Sequence, residues 1–118
     1  MQITVTGRHM EVTDAIRDHT EEKITRELAE FPRVQSVHVI LAIEKYRHIA
    51  EVVAQAPHHI RVEAKEESDD MYASIDRAVE KLEKQLHKVW DKLLQDHKSR
   101  ERLADVEPPV EPLEEKTL

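Results

Sequence analysis

The chain has 118 residues, 39% of them hydrophobic and 36% charged, which is enough apolar content for the core of one small domain. Cysteine is absent, so a disulfide framework, a thiolate zinc site and a cysteine nucleophile are excluded, and a reducing compartment fits. A formal charge of −7 argues against nucleic acid only if the charge is evenly spread, because phosphate binding needs locally placed Lys and Arg.

The opening MQITVTGRHM has no long apolar run and no small-residue cleavage site, and nowhere do apolar residues continue far enough to cross a bilayer. A cytoplasmic protein without a membrane partner is expected. Gln2 to Thr6 alternate as a short strand with Ile3 and Val5 on one side, and Gly7 is read as the break after it. Thr13 is the N-cap candidate of a first helix, with Asp14 at the positive end of its dipole. Ile16, Thr20, Ile24, Leu28 and Phe31 recur at helical spacing, and Pro32 is expected to end the helix.

From Val34 to Glu44, Val37, Val39, Leu41 and Ile43 alternate with His38, Ile40, Ala42 and Glu44, the strongest strand signal in the chain. After a polar turn, KYRH, a strand is predicted over Ile49 to Ala56, and Pro57-His58-His59 separates it from another over Ile60 to Lys65. Three consecutive strands predict an antiparallel meander. Ser68, Asp69 and Asp70 are N-cap candidates for a long helix whose apolar row runs Met71, Ile75, Ala78/Val79, Leu82, Leu86, Val89, Leu93. The expected fold is α+β, a two-layer βαβββα sandwich: a four-stranded sheet with two helices on one face and a solvated opposite face.

Composition changes after Arg100. Residues 101–118 contain three prolines and six acids against two bases, and are expected to form a disordered acidic tail, with a single domain over 1–100. The first hundred residues hold 16 bases and 19 acids, yet Arg77 to Arg100 holds seven bases and four acids, so charge is segregated along the chain.

On the last helix Arg77, Lys81, Lys84, Lys88 and Lys92 fall within an arc of roughly 80°, well away from the core row. Only Glu80 with Lys84 is an acid-to-base i,i+4 pair on this row. Arg77 with Lys81, Lys84 with Lys88 and Lys88 with Lys92 are like-charge pairs costing roughly 0.2–0.5 kcal/mol each. Helix stability therefore does not explain the row, although rows of lysine on helices are commonly solvated faces. EKYRHI carries Lys45, Arg47 and His48 around Tyr46 with no acid between Glu44 and Glu51, and Arg8 and His9 add cationic groups before the first helix.

Other constellations are weaker. No spaced ligand set completes a metal site with His58 and His59, which read as exposed loop residues. Asp69-Asp70 is better explained by capping than by acid–base chemistry, and no nucleophile elbow or glycine-rich phosphate loop is present. An enzyme is not expected, nor a cofactor, a metal or a small-molecule substrate.

Three blocks, ITVTGRHMEVTDAIRDHTEEKI, HVILAIEKYRHIAEV and SDDMYASIDRAVEKLEKQLHKVWDKL, resemble the ribosome hibernation promoting factor family, which includes ribosome-associated inhibitor A. The resemblance spans nearly all of residues 1 to 100. It implies a fold similar to a double-stranded RNA-binding domain, lodged between head and body of the small ribosomal subunit. There such proteins cover the tRNA and mRNA sites and hold ribosomes inactive in stationary phase or stress. By position, it implies RNA-facing roles for Arg8, His9, Lys45, Arg47, His48, Arg77, Lys81, Lys84, Gln85, Lys88 and Lys92, and structural roles for Tyr72 and Ile75. Asp91 and Asp96 depart from the more uniformly basic helix end of the family.

The chain resembles a short form, lacking the second domain that pairs ribosomes in long members, and a monomer off the ribosome is expected. Its acidic tail resembles that of ribosome-associated inhibitor A, whereas TGRH and EKYRHIAE resemble the hibernation promoting factor proper. A protein-interaction module docking its basic helix on an acidic protein is the alternative.

Overall fold

A computed structural model describes residues 1–102, with side chains described through Leu94; the expected acidic tail and Asp96 lie outside these. The element order is β1 (Gln2–Arg8), α1 (Asp14–Glu27), β2 (Ser36–Glu44), β3 (Arg47–Ala56), β4 (Ile60–Ser68) and α2 (Met71–Arg102). One compact unit spans Met1–Lys84 and a second begins at Gln85.

In the first unit the strands form one mixed sheet in the order β1-β2-β3-β4. β1 runs parallel to β2, with α1 as the crossover that a parallel pair requires, and β2, β3 and β4 form the expected antiparallel meander. Strand period and register place Val37, Val39 and Leu41 beside Ala54, Val52 and Ala50, and these beside Val62, Ala64 and Glu66. All but Glu66 are buried, and this face carries the helices.

The opposite face is mostly polar, with Thr4, Thr6, His38, Gln55, Arg61 and Lys65 exposed. Its centre departs from the expectation of a solvated surface: Ala42 and Val53 are buried and Ile40 and Ile49 half-buried.

β1 does not break at Gly7. It continues to Arg8, pairing Gly7 with Leu41 and Arg8 with Ala42. No glycine has positive φ, so conformational freedom is not what this position needs. A Cβ built on Gly7 would lie 2.5 Å from the Met10 carbonyl oxygen and 3.0 Å from Val12 Cγ2, so the following loop folds back onto the strand where only glycine leaves room.

α1 is capped as expected: Thr13 is extended (φ −78°, ψ 164°) and its Oγ1 accepts from the Ile16 amide at 3.2 Å. The helix ends at Glu27, four residues before Phe31 rather than at Pro32. Phe31, which precedes proline, is biased away from the α conformation, and turns through Leu28 and Phe31 carry the chain on.

Asp70 caps α2, its Oδ2 accepting from the Ala73 amide at 3.1 Å. The helix buries Met71, Ile75, Ala78, Val79 and Leu82. Among the described residues no helix is long and apolar enough to cross a membrane.

The two helices lie side by side through a polar seam. His19 Nε2 is 2.8 Å from Asp76 Oδ1, and its ring meets Tyr72 edge-on at 4.9 Å between centroids. Lys23, nearly buried, donates to Glu80 Oε2 at 2.8 Å and lies 3.4 Å from Glu27 Oε2. Glu80 is thus held across the helix interface rather than by Lys84.

The hydrogen bond to Glu80 raises the Lys23 pKa above the ordinary 10.5, against the opposing effect of burial. A raised pKa means that the folded state favours the charged amine. The stabilisation is complete below the unfolded lysine value and is lost as pH climbs through the folded one. Lys23→Met is therefore expected to melt a few degrees below wild type near neutral pH, for a loss of about 1 kcal/mol. Melting curves across the alkaline range should show this gap closing above about pH 10.5, and a gap constant to about pH 11.5 would remove the pair from the account.

In the second unit, α2 continues with Leu86 buried, Val89, Trp90 and Leu93 half-buried, and Lys88 and Asp91 exposed.

Candidate nucleic-acid interface

Within the first unit, the candidate cations outside the helix gather at one end of the sheet. Arg8 closes β1 there, exposed on the face away from the helices. His9 follows at φ 61°, a left-handed residue that turns the chain back over Gly7 and leaves its own ring exposed.

The β2–β3 connection is tighter than a KYRH turn. Glu44 pairs with Arg47 across a two-residue turn of Lys45, at φ 59°, and Tyr46. Arg47 and His48 are the first residues of β3, and the strand period sends them to opposite faces. Arg47 joins Arg8 on the open face, on the order of 12 Å away between Cα atoms. It is not a free cation: Nη2 lies 3.0 Å from Glu44 Oε1 and Nη1 lies 3.2 Å from Glu67 Oε1. The acid at position 67 is remote in sequence and enters only through the β3–β4 register.

His48 faces the helices. Its carbonyl accepts from the buried Ser74 Oγ at 2.6 Å, and Ser74 in turn lies 2.7 Å from Ser68 Oγ. This chain ties the base of the hairpin to the first turn of α2. His48 Nδ1 is buried with no hydrogen-bond partner among the described residues, so this side chain is half enclosed rather than displayed.

Because β4 ends beside His48 and only two residues separate it from α2, the helix row begins at this same end. Arg77 and Lys84 are exposed and make no ion pair among the described residues. Lys81 Nζ is 3.4 Å from Glu66 Oε2, a contact across to the sheet edge. In the second unit Lys88 is exposed, and Gln85 and Lys92 are half-buried.

The structure therefore brings Arg8, His9, Lys45, Arg47, His48 and the start of the helix row to one end of the fold and divides them over its two faces. Arg8 and Arg47 are on the open side, and His48 is on the helix side with α2. Lys45 stands at the tip. His58 and His59, at φ 68° and 62°, occupy the β3–β4 turn at the other end of the sheet, exposed.

Tyr46 carries no chemical motif in the sequence, yet it is 81% exposed at the hairpin tip. Only its place at the centre of a cation-rich segment hinted at it. The ion-paired state of Arg47 and Lys81 had no sequence signal, since each partner is set by strand register or by helix docking.

A family model described as sigma 54 modulation protein / S30EA ribosomal protein matches residues 3–94. A protein of Azotobacter vinelandii named ribosome hibernation promoting factor is 40% identical over 104 residues, covering 80% of this chain and 88% of that one. One of the same name from Escherichia coli (strain K12) is 37% identical over 98 residues, covering 80% and 99%.

Among solved structures, a ribosomal subunit interface protein from Coxiella burnetii superposes with a TM-score of 0.71 at 34% identity, over 75% of this chain and 96% of that one. The N-terminal domain of Protein Y from Thermus thermophilus gives a TM-score of 0.67 at 37% identity, over 75% and 98%. These matches agree with the resemblance carried by the three sequence blocks.

Proposed function

The chain belongs to the sigma 54 modulation protein / S30EA ribosomal protein family, and on that premise we propose that it is a ribosome hibernation factor, acting by binding rather than by catalysis. The observation that carries this reading is the agreement with proteins named ribosome hibernation promoting factor, at 37–40% identity over most of the chain. Residues 1–100 are the ribosome-binding part. They seat on the small subunit at the decoding region, where they block tRNA and mRNA and inhibit translation in stationary phase or stress. Such a role sets the protein in the cytoplasm.

The contacts are with rRNA phosphates. Arg77, Lys84 and Lys88 on the helix, Arg8 on the open face and Lys45 at the tip are exposed cations with no ion pair among the described residues, so they reach a phosphate without first losing a carboxylate. Arg47 and Lys81 are exposed as well, and their surface pairs are weak enough, roughly 0–1 kcal/mol, to be exchanged for phosphate. Phosphate contacts position a protein without reading sequence, which suits a chain with only 3% aromatic residues.

Sedimentation of purified ribosomes with the protein tests this. Co-sedimentation is expected at low salt. With about five phosphate contacts, affinity should fall roughly 100-fold between about 50 and about 200 mM salt. Failure to co-sediment at low salt would overturn the reading.

A further inference from the structure

The tip of the β2–β3 hairpin carries an aromatic ring that folding does not use. Tyr46 is the most exposed large apolar residue among those described, at 81%. Of the other aromatics, Phe31 is buried, Tyr72 lies edge-on against His19, and Trp90 is half-buried with a partner. Tyr46 therefore has the most open ring among the described aromatics, and its hydroxyl has no hydrogen-bond partner among the described residues.

The backbone that carries the ring is braced. It sits in a two-residue turn closed by the Glu44–Arg47 pair, and Arg47 is clamped between Glu44 and Glu67 directly beneath. Ser74 fixes the next residue, His48, through its carbonyl. A braced tip loses little freedom when its ring is covered, and a tyrosine side chain has only two rotatable angles to fix. Beside it Lys45 is exposed and makes no ion pair among the described residues.

We propose that Tyr46 is a base-stacking residue: an unpaired nucleobase of the bound RNA lies on its ring while Lys45 takes a neighbouring phosphate. Unpaired bases expose π faces that aromatic side chains cover, and one ring beside one cation matches the repeat of base and phosphate along a single strand. An apolar protein partner is the poorer match, because the ring is flanked by Lys45 and Arg47. The proposal rests on the ribosome-binding reading and adds to it a contact that responds to RNA structure, since a paired helix offers no free base to the tip.

The test compares wild type, Tyr46→Ala, Tyr46→Phe, Tyr46→Trp and Lys45→Ala for binding to purified ribosomes as a function of salt. Tyr46→Phe and Tyr46→Trp should bind within about twofold of wild type, because stacking needs the ring and not the hydroxyl. Tyr46→Ala should bind about 5- to 150-fold more weakly with an unchanged salt slope. Lys45→Ala should reduce that slope by about 1. Ultraviolet cross-linking of the wild-type complex should join the peptide containing Tyr46 to a nucleotide. Equal affinity of Tyr46→Ala and wild type, or a cross-link to a ribosomal protein instead, refutes the stacking role. Wild type failing to bind at low salt refutes the ribosome-binding reading itself, a separate result.

Discussion

Reversal of Lys81, Lys84 and Lys88 to glutamate is expected to lower ribosome affinity at low salt by more than about 100-fold while leaving the circular dichroism spectrum intact. All three side chains are exposed, whereas Met71, Ser74, Ile75, Ala78, Val79, Leu82 and Leu86 are buried on another arc of the helix. Each reversal removes an attraction to phosphate and adds a repulsion, which makes the effect larger than that of three alanines.

Lys81 needs its own control. Glutamate there would face Glu66 where Lys81 Nζ now sits at 3.4 Å, a local cost of up to about 1 kcal/mol that has nothing to do with RNA. Adding Glu66→Lys to Lys81→Glu rebuilds the pair with its polarity exchanged. That double variant should recover the melting temperature without recovering ribosome binding, so folding and recognition separate. Full binding by the triple reversal would shift the RNA-facing surface to the hairpin and the open sheet face.

Gly7→Ala is expected to destabilise the protein by about 1–3 kcal/mol, a drop in melting temperature on the order of 10 °C for a domain of this size. The new methyl would meet the Met10 carbonyl at 2.5 Å, and a backbone oxygen cannot rotate away as the end of a long side chain does. Either the β1 end or the loop must move, and both carry Arg8 and His9. Gly7→Val should cost more, because Val12 Cγ2 already stands 3.0 Å from the Cβ position. Thermal denaturation of the two variants checks this, and a melting temperature within about a degree of wild type would show that the loop yields freely.

Gly7 also marks where the sequence stops being legible. A lone glycine after an alternating run reads as a strand end, because the pattern reports only contacts along the chain. The close approach that requires it comes from residues three and five positions later, folding back. The alternation of Val37, Val39 and Leu41 and the spacing of Ile75, Val79 and Leu82 were legible because a buried face imposes its period directly on the sequence. Thr13 and Asp70 were legible because capping is a local hydrogen bond.

The hairpin was half legible. KYRH is polar, but only the pairing of Glu44 with Arg47 decides that the turn is two residues long and that Arg47 and His48 part to opposite faces. Glu80 shows the same limit, since the base one turn further along the helix, Lys84, is not the one it binds; Lys23 is, 57 residues away.

That separation has a thermodynamic side. Both seam contacts, His19 with Asp76 and Lys23 with Glu80, close a loop of 57 residues that contains the entire β2–β3–β4 meander. Joining the ends of a flexible loop of that length costs roughly 3.6 kcal/mol in length-dependent entropy alone, more than two partly exposed polar contacts return. Once the meander has formed by short hairpins, the same ends are already near one another and that cost has largely been met by the sheet. The seam is thus conditional on the strands beneath it: the sheet brings together the two helices whose polar contacts then join them.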